Sequence, residues 1–211
     1  MTPPGKTTKS VSQTRRRSTG SPAGQARKES VLLAASKVFA EKGFANATVR
    51  DVADEANMLS GSLYYYFDSK EAIVEQVLVD YLGVIIREYQ SVVAEAADPS
   101  EALTGLMARA LRSLVRNRNE VLILQNDWSY VQVFPSIVDR QHEVERIWMD
   151  VIQAGMDSGV FRGEFSARMV YRTVMGAVQA VIRWFDPAGS VTIDELIEIE
   201  TVLLLRGVQV P

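Results

Sequence analysis

Residues 48–70 read TVRDVADEANMLSGSLYYYFDSK, and their reading decides the fold. Thr48 is followed three residues later by the acid Asp51. This is a capping-box pattern, in which each side chain satisfies the other residue's backbone donor at a helix start. The helix it opens is short and buries Val49, Val52, Ala53 and Ala56, which recur at helical spacing. Asn57 tolerates the left-handed conformation that a tight turn needs. A second short helix is expected over residues 59–67. Leu63 and Phe67 are four apart on one face of it, with Leu59 one turn earlier, and all three are expected to pack inward. Ser60, Gly61, Tyr64 and Tyr65 then lie largely on the opposite side. Gly61 and Ser62 are small, so this helix can approach another surface closely. Two short helices across a tight turn make a helix-turn-helix. A plain aromatic core stripe is the other reading of LYYYF, but Tyr64, Tyr65, Tyr66 and Phe67 cannot all face one core across a helix. Some tyrosines must point outward, where a hydroxyl can bond a phosphate oxygen or a base edge.

Outward from this stretch the pattern stays helical. Before it, Val31, Leu32, Ala35, Val38 and Phe39 form one apolar face, and Gly43 is placed to stop that helix. After it, Ser69 is a candidate N-cap for a long helix carrying Ile73, Val77, Tyr81 and Ile85, running to about Ala97 before Pro99. Ser100 is the expected cap of the next helix, with Leu103, Leu106, Met107, Ala110, Leu111 and Leu114 inside. Further helices are expected over residues 120–132, 137–157, 167–185 and 192–206, the last two separated by DPAGS. No strand alternation persists and no fixed-period repeat appears. The expected architecture is all-α with about nine helices: a basic tail over residues 1–26, a helix-turn-helix unit over 27–70, and a larger helical body over 71–211.

Composition narrows the chemistry. The chain of 211 residues has no cysteine and one histidine, His142. Disulfides, thiolate zinc sites, iron–sulfur clusters and multi-histidine metal sites are therefore excluded. Asp139 and His142, at i and i+3, are too few to hold a metal and can both be solvated, so no metal, cofactor or catalytic residue is assigned and an enzyme is not expected. No apolar run reaches the ~18 residues of a membrane span, and the N-terminus lacks a signal-peptide apolar region, so a cytoplasmic setting is the default. The net charge of −3 hides a split. Residues 1–28 hold seven Lys and Arg and no acid, which leaves 16 basic against 26 acidic groups over residues 29–211. An acidic body does not favour polyanions in general, so nucleic-acid binding must be local. The Ser-, Thr-, Pro- and Gly-rich tail reads as disordered. It is either a solvated leader or an arm that follows a DNA backbone or enters a minor groove.

The last two helices are apolar around much of their circumference, from Met169 to Phe185 and from Ile193 to Leu205. They are either a monomer's central core or, as preferred here, half of a four-helix homodimer interface whose two-fold axis matches a palindromic double-stranded operator. The helices between should enclose a pocket. Its candidate lining is Met107, Leu111, Leu114, Trp128, Trp148, Met149 and Met175, with Gln125 and Gln179 as polar contacts. Each of these also suits a simple core position, but together they suit a bulky apolar ligand. Arg183 precedes Trp184 on an apolar helix. It must reach solvent, pair with an acid, or meet an anionic ligand.

The segments EKGFANATVRDVADEA and SGSLYYYFDSKEAIVEQVL resemble the TetR family of bacterial transcriptional regulators over about residues 29–80. They match its G-x-x-x-x-T-[VI]-x-x-[IV]-A and G-x-[LI]-Y-x-[YH]-F-x-x-K patterns. The resemblance implies an N-terminal DNA-binding unit and a C-terminal ligand-binding, dimerising body, with repression the default. It also implies roles: Thr48 touches phosphate; Ser60, Gly61 and Ser62 meet base edges or backbone; Tyr64 and Tyr65 contact bases or phosphate; Tyr66 and Lys70 reach phosphates. Arg50, on the exposed side of its helix, could assist. Asn57 stands where Gly is common, and Ser60 where Lys is frequent, which removes one contact that the basic tail could replace. VERIWMDVIQAGMDSGVFR and MVYRTVMGAVQAVIRWFDP are similar to the subgroup controlling steroid and fatty-acid catabolism in actinobacteria. That similarity implies a small-molecule effector of the acyl-CoA thioester class and a ligand contact at Arg183. Steroid-responsive members have Trp where this chain has Gln179. A helical carrier protein without DNA activity would explain the body but leave the outward tyrosines and Lys70 unused.

Overall fold

The computed structural model describes residues 21–210. Five helices lead from the N-terminus: α1 (Pro22–Lys42), α2 (Val49–Glu55), α3 (Ser60–Leu63), α4 (Lys70–Glu95) and α5 (Pro99–Arg116). Five more follow: α6 (Arg118–Asn126), α7 (Trp128–Val131), α8 (Pro135–Asp157), α9 (Ala167–Ala180) and α10 (Ile193–Val208), with a 3-10 turn over Val181–Arg183. Among the described residues there is no strand, only a lone antiparallel bridge between Phe161 and Gln209. No helix among them is long and apolar enough to cross a membrane. The tenth helix arises because the expected helix over 120–132 breaks at Asp127, whose backbone N–H closes the turn of α6 on Ile123 O while its carbonyl accepts from Tyr130 N–H.

Local chemistry explains most boundaries. The Thr48–Asp51 capping box is present. Asn57 takes a positive φ of 51° and Gly43 one of 75°, as the turns around α2 require. Ser69 caps α4 by accepting from Ala72 N–H. Several boundaries differ from expectation, among them the end of α9, which stops at Ala180 and not at 185. The cap of α5 is Asp98, which accepts from Glu101 N–H with Pro99 in the first turn, so Ser100 lies inside the helix. Helix α1 starts at Pro22, capped by Ser21, within the stretch assigned to the tail. The rest of that tail, residues 1–20, lies outside the described residues. Helix α3 ends at Leu63, and the chain continues in turns through Tyr66.

Helix α4 is the spine, with 26 residues at ~1.5 Å each, about 39 Å long. Its first turns bury Ile73 and Val74, and its later turns bury Leu82, Ile85, Ile86 and Tyr89. It packs on α1, α5 and α8, with Ser136 at the start of α8 bonded to Glu75 in the second turn of α4. At the far end the chain is stapled shut. Phe161 N–H bonds to Gly155 O at 2.9 Å, Arg162 N–H to Val208 O at 2.8 Å, and Val210 N–H to Val160 O at 3.1 Å. A Cβ at Gly155 would stand 2.1 Å from the fully buried Phe161 ring. Gly155→Ala is therefore expected to cost about 1–3 kcal/mol, read as a lower midpoint in urea unfolding, with the helix content retained.

Candidate functional site

Helices α2 and α3 are held by short-range polar bonds. Thr48 Oγ1 accepts Asp51 N–H at 3.1 Å, and Asp51 Oδ2 accepts the N–H and the hydroxyl of Thr48 at 2.8 and 2.7 Å. Lys42 of α1 reaches the other carboxylate oxygen at 2.6 Å. The bonds from Lys42 and Thr48 hold the Asp51 carboxyl well below the ordinary range, at about 2. The Thr48 hydroxyl thus already serves the helix start. Arg50 is exposed, with only a loose 3.8 Å pairing to Asp54. Beyond the turn, Leu63 and Phe67 are buried as expected. Gly61, Ser62, Tyr64 and Tyr65 are exposed, while Ser60 and Tyr66 are half-buried, the Tyr66 ring lying edge-on to Tyr65 at 5.2 Å.

Leu59 corrects the sequence expectation. It is 80% exposed, because it is the extended N-cap residue of α3 (φ −73°, ψ 136°) and not part of the helix whose face it was assigned to. Met58 packs against the core instead.

Lys70 has a role that its motif does not reveal. Its Nζ donates to Phe44 O at 2.7 Å and Ala47 O at 2.9 Å, and lies 4.4 Å from the Phe44 ring centroid. The ammonium thereby ties the start of α4 to the loop between α1 and α2. The same loop is gripped from the other side. Asp127, buried between α6 and α7, accepts Phe44 N–H on Oδ2 at 3.0 Å. The Phe44 ring lies edge-on to Phe39 at 5.6 Å and tilted against Tyr130 at 6.0 Å. Sequence reasoning passed over Asp127; its one signal was an acid set in the apolar run VLILQNDW.

The body contains a cavity of about 780 Å³ between α4, α5, α6, α8 and α9. Leu114, Gln125, Trp128, Met175, Gln179 and Arg183 line it, as expected. Met107, Leu111 and Trp148 do not. Met107 and Leu111 are fully buried in the core, and α5 presents the smaller Ala110 and Ser113 to the cavity in their place. Trp148 stands one layer behind, edge-on to Tyr89 at 5.7 Å and to Tyr171 at 6.5 Å, and it is these tyrosines that form the wall. Met149 is absent from the lining as well.

Of the wall tyrosines, the sequence pattern places Tyr81 only on the stripe of the long helix and does not single out Tyr89 or Tyr171. Burial pushes Tyr81 and Tyr171 up to about 12, with the Glu145 carboxylate adding to the effect on Tyr171, and it raises Tyr89 too. All three phenols are therefore neutral donors at ordinary pH. Tyr81 OH lies 3.2 Å from Ser113 Oγ, and Gln125 Nε2 donates to Gln179 O at 3.2 Å, strapping α6 to α9. His142 borders the cavity with Glu145, and no group of three metal-binding side chains occurs among the described residues. Arg183 is exposed at the cavity's edge, with no acid or other bonded partner among the described residues.

The last helices divide their apolar residues. Val174, Val178, Val181, Ile182 and Leu196 are buried within the chain, whereas Met169, Trp184, Ile199, Val202 and Leu203 are exposed, Leu203 by 67%. The monomer core accounts for the first group and leaves the second without cover.

Two family models match the chain: "Bacterial regulatory proteins, tetR family" over residues 31–77 and "Tetracyclin repressor-like, C-terminal domain" over 96–208. The transcriptional repressor KstR2 of Mycolicibacterium smegmatis is 32% identical, across 86% of this chain and 90% of that protein. The structure of the ketosteroid transcriptional regulator KstR2 of Mycobacterium tuberculosis superposes with a TM-score of 0.81 at 31% identity, covering 88% of this chain and 96% of that one. The regulator AibR, solved with isovaleryl coenzyme A and operator DNA, gives a TM-score of 0.76 over 85% of this chain and 98% of its own; at 17% identity that likeness concerns the fold.

Because the Lys70 ammonium serves several carbonyls, Lys70→Met is expected to destabilise the protein by about 1–3 kcal/mol. The loss should appear in urea unfolding without DNA, where a residue serving only DNA phosphates would leave stability unchanged.

Proposed function

The chain belongs to the TetR family of bacterial regulators, and from that premise we propose that it is a homodimeric repressor released from a palindromic operator by an acyl-CoA thioester. The helix-turn-helix of α2 and α3 is the DNA-reading head, and Thr48, Arg50, Ser60, Gly61, Ser62, Tyr64, Tyr65 and Tyr66 are its candidate contacts. The exposed apolar residues of α9 and α10 are the surface that a second copy would cover. Two heads then face successive major grooves, about 34 Å apart or a multiple of it.

One observation carries the switch. Asp127, which holds Phe44 in the loop before α2, lies between Gln125 and Trp128, both in the cavity wall. A ligand that displaces that wall moves the acceptor on which the reading head hangs. Helix α4 offers a parallel route, since its Tyr81 and Leu82 line the cavity and its Lys70 holds the other side of Phe44. For release to follow, the ligand must bind the DNA-free arrangement better, and operator must weaken ligand binding by the same factor. The thioester class is supported by the aromatic and apolar wall, by the unpaired Arg183 at its edge, and by the likeness to KstR2. AibR shows that this fold admits a coenzyme A ester.

A thermal-shift panel of fatty-acyl and steroid-derived CoA thioesters, with free coenzyme A as control, should show at least one thioester that raises Tm and releases operator DNA. Arg183→Ala should weaken that thioester by about tenfold or more. Silence across the panel would remove the thioester class. Asp127→Ala, which strands Phe44 N–H, should weaken operator binding and shrink the ratio of affinities without and with that thioester. Asp127→Asn, which keeps an acceptor oxygen, should retain most of both, as read by fluorescence anisotropy.

A further inference from the structure

Leu59 sits in the turn of the helix-turn-helix and is 80% exposed, more than any other large apolar residue described. The fold gains nothing from leucine there. Helix α3 begins on Leu59, whose side chain makes no capping bond, as is also true at the starts of α6, α7, α8 and α9, whereas α1, α2, α4, α5 and α10 begin on a Ser, Thr or Asp whose side chain accepts a backbone N–H. A polar cap at this position would ordinarily stabilise the helix.

Two residues on, Gly61 has no atom within 4 Å of where a Cβ would stand, and its φ is not positive. Neither packing nor backbone conformation requires glycine there, although glycine weakens a helix. Its bareness instead leaves room for an approaching surface.

The run from Asn57 to Phe67 also holds no Lys, Arg, Asp or Glu. The charged pairings that read guanine or cytosine in a major groove are therefore missing from the segment that enters it. An aliphatic side chain can recognise one feature of that groove, the 5-methyl group of thymine.

We propose that Leu59 is a specificity-determining residue that packs on a thymine methyl in each operator half-site, Gly61 permitting the approach. The proposal rests on the reading of α2 and α3 as the DNA-binding head.

The test uses the full chain and a pool of random 30-base-pair duplexes. After selection, wild type should enrich thymine at one position in each half of a symmetric motif. Replacing that thymine by deoxyuridine removes only the methyl group. It should weaken binding about fourfold in one half-site and roughly fifteenfold in both. Leu59→Ser should lose the thymine preference and bind the two duplexes alike, while its melting temperature stays level or rises because serine can cap α3. If Leu59→Ser selects the same thymine and responds equally to deoxyuridine, the assignment to Leu59 is wrong and the DNA-binding reading survives. If no deoxyuridine substitution weakens wild type, the methyl contact itself is refuted, whatever Leu59→Ser does. If wild type enriches no sequence, the reading of α2 and α3 fails along with the proposal.

Discussion

The backbone of Phe44 is the hinge pin of this protein. Its N–H is held by a carboxylate from the body and its carbonyl by an ammonium from the first turn of α4. The short loop between α1 and α2 cannot satisfy those backbone groups itself, and buried ones must find partners. Asp127 and Lys70 supply them, with the ring against Phe39 and Tyr130 and the Lys70 charge near its face. Apolar contact tolerates sliding, but a hydrogen bond weakens steeply as it bends. Hanging the reading head on directional bonds makes its orientation answer to small movements of α6 and α4.

The cavity lies against that hinge. Its wall includes the buried Tyr89 and the half-buried Tyr171, each edge-on to Trp148 behind them. The more yielding side is α6 and α7, where the Gln125–Gln179 strap is one hydrogen bond and Asp127 marks a break between helices. On the proposed mechanism, a ligand in the cavity meets tyrosine rings on α4 and α9 and a single-bond strap on α6, and the response runs through α6 toward Phe44. Whatever free energy the ligand gains in the displaced arrangement is the most it can spend on releasing DNA.

Local signals were legible in the sequence and long-range ones were not. The Thr48–Asp51 box, the turn at Asn57, the stop at Gly43 and the cap at Ser69 each depend on residues within a few positions, so residue type alone identifies them. Leu59 is misplaced by helical periodicity because that pattern runs back one residue from the helix onto the N-cap itself, where the chain is extended. Met107, Leu111 and Trp148 were correctly read as interior, but interior residues divide between cavity wall and solid core by which helix face meets a gap, and one sequence does not say where the gap is. Asp127 was least visible. Its partner is a backbone N–H 83 residues away, a contact with no signature in side-chain pattern.

Symmetry explains how so uncharged a reading segment can suffice. Between Asn57 and Phe67 the contacts on offer are hydroxyls, a bare glycine and one leucine, each individually weak. In a two-fold dimer every such contact occurs twice on the operator, so a modest preference per half-site is squared in the affinity ratio. The same doubling sharpens release, because a rotation of one head breaks the spacing for both. On the proposed dimer interface, the exposed apolar residues of α9 and α10, far along the chain from α3, are as much a part of sequence recognition as the side chains that would touch the bases.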